Sequence, residues 1–259
     1  MTDALTALRE ALPNLAPTSL EAVLADANLQ TRTDRKYLVQ PEVFTAFAVG
    51  IRDGYRVLDI AGLRSFRYES VYFDTPELAS YLGAARGRRH KFKVRTRTYL
   101  DSRQSVLEVK TAGGRGETSK ERMPYPVDRR FRIDAAGAAF IEGLLDLAGG
   151  ARTLEPILTT TYVRTTLVDL EHGARMTCDA DLALTDRAGG TVAMRDHVLV
   201  ETKAASTAGP ADRLLWNLGV RPSPISKYCV GLATLNPSVP SNRWHRTLKR
   251  YFGAEDRRE

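Results

Sequence analysis

The chain has 259 residues, 43% of them hydrophobic, enough to bury a sizeable core in one barrel-type domain or in two. Lys and Arg number 38 against 31 Asp and Glu, a formal net charge of +7 with a pI near 9.5, so an anionic partner is expected: nucleic acid, a phosphate compound or an acidic membrane surface. Cys178 and Cys229 match no metal spacing, the four histidines form no i, i+2 or i, i+4 pair, and residues 1–17 hold Asp3, Arg9 and Glu10 with no long apolar run, which argues against zinc, disulfides, a secretory signal and a spanning helix and for a cytoplasmic location.

In chain order, residues 2–12 and 18–28 read as short helices separated by Pro13 and Pro17. A strand follows at 31–39, with Arg32, Asp34 and Lys36 on one parity, and Pro41 starts a helix through Val49. Residues 66–73 are rich in strand formers and end at Asp74-Thr75-Pro76, a turn and helix start. Strands at 91–100 and 105–111 are joined by the hairpin Asp101-Ser102-Arg103. Gly113-Gly114-Arg115-Gly116 is a flexible basic loop without the spacing or Lys-Ser/Thr ending of a P-loop. A helix runs from its N-cap Asp134 to Leu147 and stops at Gly149-Gly150. Strands at 157–170 and 174–186 meet at His172-Gly173, and a hairpin through Gly189-Gly190 leads into a strand at 191–204. Helices at 210–218 and 225–235, the second capped by Ser226, close the core. With no internal repeat or linker, the expected partition is N-terminal helices at 1–29, a compact domain at 30–236 and a basic amphipathic tail at 237–259.

The segment Lys91-Phe92-Lys93-Val94-Arg95-Thr96-Arg97-Thr98-Tyr99 carries the most information. Period-two alternation puts Lys91, Lys93, Arg95 and Arg97 in one self-repelling row, with Phe92, Val94 and Thr96 on the other face. Other strands repeat the theme: Glu108 with Lys110, Tyr162 with Arg164, Glu201 with Lys203, and Arg175 with Thr177, Asp179 and Asp181. Apolar residues on one side and mostly basic residues with scattered carboxylates on the other suit a barrel with a polar, cationic interior.

Arg32-x-Asp34-x-Lys36-Tyr37, Ser70-Val71-Tyr72-Phe73-Asp74-Thr75, Lys93-Val94-Arg95-x-Arg97-x-Tyr99, Leu107-Glu108-Val109-Lys110, Tyr162-x-Arg164, Val200-Glu201-Thr202-Lys203 and Ser226-Lys227-Tyr228-Cys229-x-Gly231-Leu232 occur in this order. Over residues 30 to 235 the ordered set resembles the vacuolar transporter chaperone (VTC) domains, which are polyphosphate polymerase domains of the CYTH, or triphosphate tunnel metalloenzyme, superfamily. The resemblance implies an α+β fold: an antiparallel eight-stranded β-barrel tunnel with peripheral helices. It further implies binding of the ATP triphosphate by inward Lys and Arg, a divalent metal (Mn2+ or Mg2+), and transfer of the terminal phosphoryl group to a polyphosphate chain with release of ADP. The wider superfamily carries Glu-x-Glu-x-Lys where this chain has Arg32-x-Asp34-x-Lys36, so one first-strand carboxylate is missing and a more negative substrate is favoured.

The candidate catalytic residues are Lys36, Arg95, Arg97, Lys110, Arg164, Lys203 and Lys227, with Arg32, Lys91, Lys93 and Tyr162 as substrate-binding residues. Arginine forks and mobile lysine charges hold phosphates in line, which is most of what phosphoryl transfer asks of a protein. For the metal, Glu201 is the first choice, followed by Glu108, Asp179 and Asp181. Alternatives are a metal-dependent hydrolase of tripolyphosphate or nucleoside triphosphates, and a non-catalytic polyphosphate or RNA sensor. Phe92 lies on the opposite parity from the charges, against RNA stacking, and DNA is not an expected partner. In the tail, Trp244, Leu248, Tyr251 and Phe252 share one helical face flanked by Arg243, Arg246, Lys249 and Arg250. Packing on the barrel is the expected use, with weak membrane or protein contact the alternative.

Overall fold

The structure is a computed structural model that describes residues 3–25, 33–112, 118–169, 171, 173–204 and 207–253. Its strands are β1 (Ala16–Thr18), β2 (Thr33–Val39), β3 (Arg56–Leu58), β4 (Phe66–Asp74), β5 (Lys91–Tyr99), β6 (Gln104–Ala112), β7 (Thr118–Tyr125), β8 (Glu155–Asp169), β9 (Ala174–Asp186), β10 (Thr191–Met194) and β11 (Val198–Ala204). The helices are α1 (Ala4–Ala11), α2 (Leu20–Ala25), α3 (Pro41–Ile51), α4 (Ala79–Ala85), α5 (Ala135–Glu142), α6 (Pro210–Asn217), α7 (Lys227–Leu235) and α8 (His245–Tyr251). The expected α+β class with peripheral helices is the one found. Eight of the described strands have seven or more residues, and β1, β3 and β10 are short additions. The chain forms two compact units, each assembled from separate stretches.

The first unit comprises Met1–Phe66, Tyr162–Leu182 and Ala193–Pro224. Its strands lie in the order β2-β11-β9-β8, with β11 antiparallel to both neighbours and β3 joining β8 to β1. Alternation sends Tyr37, Val39, Met176, Cys178, Val198 and Val200 into a core with Leu8 of α1, Phe44 and Phe47 of α3 and Leu215 of α6. Asp212 of α6 is fully buried under this sheet and accepts hydrogen bonds from Tyr37 Oη (2.7 Å), Thr202 Oγ1 (2.6 Å), the Gly209 amide (2.9 Å) and Arg35 (3.3 Å). Four donors satisfy a carboxylate that burial would otherwise penalise.

The second unit comprises Arg67–Thr161, Ala183–Val192 and Ile225–Glu259, with strands in the order β8-β4-β5-β6-β7. One sheet face packs Val71, Phe73, Val94, Leu107, Val109 and Tyr125 against Ala138 and Ile141 of α5. Asp74 is buried at the end of β4 and accepts from the amides of Thr75, Ser80 and Tyr81 and from Tyr228 Oη (2.5 Å), which ties α4 and α7 to the strand. Burial pushes the Asp74 carboxyl up from its ordinary pKa against these hydrogen bonds.

Several boundaries differ from expectation. Helix α5 is capped by Asp134 as expected, accepting from the Gly137 amide at 2.8 Å, but it ends at Glu142, because Gly143 closes it with its own amide on Ala139 and Ile141. The strand expected over 191–204 is split at residues 195–197, where the Arg195 carbonyl accepts from the Ala4 amide at the start of α1. Strands β1, β3 and β7 were not expected. Arg32, the loop 113–116 and His172 lie outside the described residues.

Candidate functional site

In the second unit the face opposite the apolar core is basic. Lys93 of β5 stands opposite Lys110 of β6, which stands opposite Lys120 of β7. The next rung is Arg95, Glu108 and Arg122, flanked on β4 by Tyr72. Like charges opposite one another on neighbouring strands are destabilising, so three aligned lysines need an anion among them. Glu108 supplies one: its Oε2 is 2.6 Å from Arg95 and 3.6 Å from Arg97, and its Oε1 is 2.7 Å from Lys120. Burial pushes the Glu108 carboxyl up, and the charges of Arg95 and Lys120 outweigh it, leaving its pKa below the ordinary value. Burial also lowers the Lys120 pKa, against the pull of Glu108.

Arg95 is held in place by the same carboxylate and by Tyr72, whose Oη accepts from Nη1 at 3.0 Å and whose ring stacks on Tyr228 of α7. Arg97 lies opposite Ser70, and its buried Nε has no hydrogen-bond partner among the described residues. Ser226 caps α7, accepting from the Cys229 amide, and also accepts from Lys93 Nζ at 3.0 Å, which sets Lys227 at the start of that helix.

The first unit carries a second charged face. Glu201 of β11 sits between Lys36 and Thr177, and Lys203 between Asp34 and Arg175. Glu201 is 2.9 Å from Lys203 and 4.0 Å from Lys36. Burial pushes the Glu201 carboxyl up, but Lys36, Lys203 and Arg164 together hold its pKa well below the carboxylate range. Arg164 makes a two-point contact with Asp179 (2.6 and 2.7 Å), and its guanidinium lies 5.1 Å from the centre of the buried Tyr162 ring. Asp181 departs from the expected row: at φ 52° it interrupts the alternation of β9 and pairs with the exposed Arg195 at 3.4 Å.

These geometries bear on a metal. Glu108, Asp179, Glu201 and Asp181 are each ion-paired, and among the described residues no three His, Cys, Asp or Glu side chains gather. A cage of protein oxygens does not fit this donor set. What fits is an ion that takes most of its oxygens from phosphates and water plus one carboxylate, the habit of Mg2+ with nucleotides.

Thus Lys93, Arg95, Arg97 and Lys110 share one face, and Lys36, Lys203 and Glu201 share another. Lys120 and Arg122 were not foreseen, although Lys120-x-Arg122 has one parity and could have been read as a further basic strand.

Residues 31–236 match the VTC domain family. A comparison with curated proteins gives no match. Among solved structures, a Hippeastrum protein assigned as an adenylyl cyclase and described as having a dominant triphosphatase activity is 14% identical, with a TM-score of 0.50, over 77% of this chain and 94% of that one. Proteins assigned as adenylate cyclases from Bacillus halodurans and Vibrio parahaemolyticus are each 13% identical, with TM-scores of 0.46 and 0.44, over 76% of this chain and 94% and 95% of theirs. The Hippeastrum likeness speaks to the fold alone, and with the match over residues 31–236 the chain belongs to the VTC domain family.

Proposed function

We propose that the protein is an ATP-dependent polyphosphate polymerase, with residues 30–236 as its catalytic domain. A terminal phosphate oxygen of the growing chain attacks the γ-phosphorus of ATP, and the bond to the β-phosphate breaks, with ADP leaving. The observation that carries this reading is the aligned Lys93, Lys110 and Lys120 beside Arg95 and Arg97, an array whose self-repulsion a polyphosphate relieves. Arg95, Arg97, Lys110, Lys227, Lys36, Arg164 and Lys203 are assigned to phosphate binding and charge stabilisation. Lys91, Lys93, Tyr162 and Arg32 are assigned to holding substrate. Glu201 is the carboxylate assigned to a divalent ion, Mn2+ or Mg2+, which would neutralise charge on the phosphate oxygens.

Purified protein incubated with ATP and Mn2+ or Mg2+, its products resolved by gel and phosphorus NMR, tests the proposal. Internal phosphoanhydride signals with matching ADP support the polymerase. Orthophosphate as the sole phosphate product sinks it and installs the second reading, a triphosphate hydrolase, which the dominant triphosphatase activity of the Hippeastrum neighbour favours. Binding of ATP without turnover would make the protein a sensor. Glu201→Gln should raise the metal concentration needed for half-activity, and unaltered metal dependence would leave Glu201 as an ion-pair residue only.

A further inference from the structure

We propose that the second unit carries another polyanion-binding surface, beyond the β5–β7 face, that takes the distal part of a long polyphosphate chain. The inference rests on the polyphosphate reading above and extends it outward. The row Arg97, Arg95, Lys93, Lys91 runs along β5 toward α4, where a Cβ placed on Gly83 would meet Lys91 Cγ at 3.9 Å. Beyond α4, Arg86, Arg88 and Arg89 are exposed. So are Arg243, Arg246 and Arg250 around α8. The two sets meet: Arg243 Nη1 is 3.5 Å from the Ala84 carbonyl oxygen, and a Cβ on Gly87 would lie 3.2 Å from the same nitrogen.

A charge run is ordinarily a solvated face, with both signs interspersed. Here no Asp or Glu occurs between Leu78 and Leu100 or between Ile225 and Gly253, and none of the six arginines has an ion pair among the described residues. The scaffold beneath them is fixed. Trp244 and Leu248 are buried, the Trp244 ring lies 5.8 Å from that of Tyr81, and Tyr81 Oη donates to the Pro240 carbonyl at 3.0 Å. Arginines held without a carboxylate partner among the described residues, on and beside a seated helix, favour a polyanion as occupant. A bilayer is disfavoured because the large apolar side chains Trp244 and Leu248 face inward, and RNA because Tyr251 and Phe252 of the tail are only partly exposed for stacking.

The test uses the full chain and the variant Arg88→Ser/Arg89→Ser/Arg243→Ser/Arg246→Ser, titrated with tripolyphosphate and with long-chain polyphosphate at several salt concentrations. The wild type should bind the long chain more tightly, with an advantage that shrinks as salt rises. The variant should lose about tenfold or more of the long-chain affinity and show a shallower salt slope, since fewer counterions are released. Tripolyphosphate binding and melting temperature should stay as in the wild type. Equal loss toward both ligands, or no loss toward either, overturns the proposal, as does a variant whose only defect is binding to phosphatidylserine vesicles or to RNA. A wild type that ignores tripolyphosphate brings down the site reading itself. A wild type that polymerises ATP while the variant binds long chains undiminished brings down this surface alone.

Discussion

Arg97 and Glu108 show how one rung divides its labour. Arg97 Nε is a buried donor without a partner among the described residues, next to Ser70, whose buried Oγ is likewise unpartnered. A phosphate oxygen would satisfy such donors, and removing one preorganised charge at a transferring phosphate typically costs two to three powers of ten. Arg97→Ala should therefore cut ATP turnover at least about a hundredfold with its circular dichroism unchanged, and near-normal turnover would remove the row from the site. Glu108 is a counter-ion for three cations. Replacing it by Gln leaves Arg95 and Lys120 facing a neutral amide, a loss of about 1–3 kcal/mol at pH 7. Its folded pKa lies below the ordinary glutamate value of 4.5, so the stabilisation is present above pH 4.5 and fades as pH falls through the depressed pKa. Urea titrations should show the gap between wild type and Glu108→Gln closing in acid. The row on β5 was legible from parity alone. That Glu108 also pairs with Lys120 was not, because Lys120 comes from β7, a strand without the alternation that marks the others.

Strand β7 escaped notice for a physical reason. Its residues are nearly all exposed, Pro124 cannot donate to a ladder, and its extended form follows from pairing along β6 rather than from apolar alternation. The end of α5 was misread because two glycines at 149 and 150 look like a stronger stop than the single Gly143, whose amide closes the helix. Helix α7 was legible, with Ser226 as cap, though not the reason for its glycine. A Cβ on Gly231 would come within 2.9 Å of Leu158 Cδ2 and 3.2 Å of Leu184 Cδ1. Gly231→Val must push both leucines aside and should lower the unfolding free energy by about 2 kcal/mol, the scale of overpacking. Gly231→Ala should cost less than half of that, since alanine recovers about 1 kcal/mol of helix propensity. A denaturant midpoint for Gly231→Val at or above that of the wild type would show that α7 does not sit tightly on these side chains.

At the scale of the molecule, the longer strands other than β7 and the basic row on β5 were readable, whereas the interleaving of two units was not. It depends on pairings such as Lys36 with Glu201, between strands far apart in sequence, and local patterning carries no such information. Among the described residues no helix is long and apolar enough to cross a membrane. The tail belongs to the second unit and reaches its basic face through a continuous series of contacts. Trp244 lies against Tyr81, whose amide donates to Asp74; Asp74 accepts from Tyr228, which stacks on Tyr72; and Tyr72 accepts from Arg95. Ending the chain after Pro240 removes the buried Trp244 and Leu248, a loss on the order of 3–5 kcal/mol by analogy with truncating a buried tryptophan, or roughly 10 °C in melting temperature. It should also lower kcat, because Tyr81 and the hydroxyls that hold Arg95 lose their backing, and Trp244→Phe should restore most of both. The arginine-to-serine variant of the same surface keeps Trp244 and should melt like the wild type. If the truncated protein melts unchanged, α8 is not part of the fold that supports Arg95, and the contacts from Tyr81 to Tyr72 stand without it.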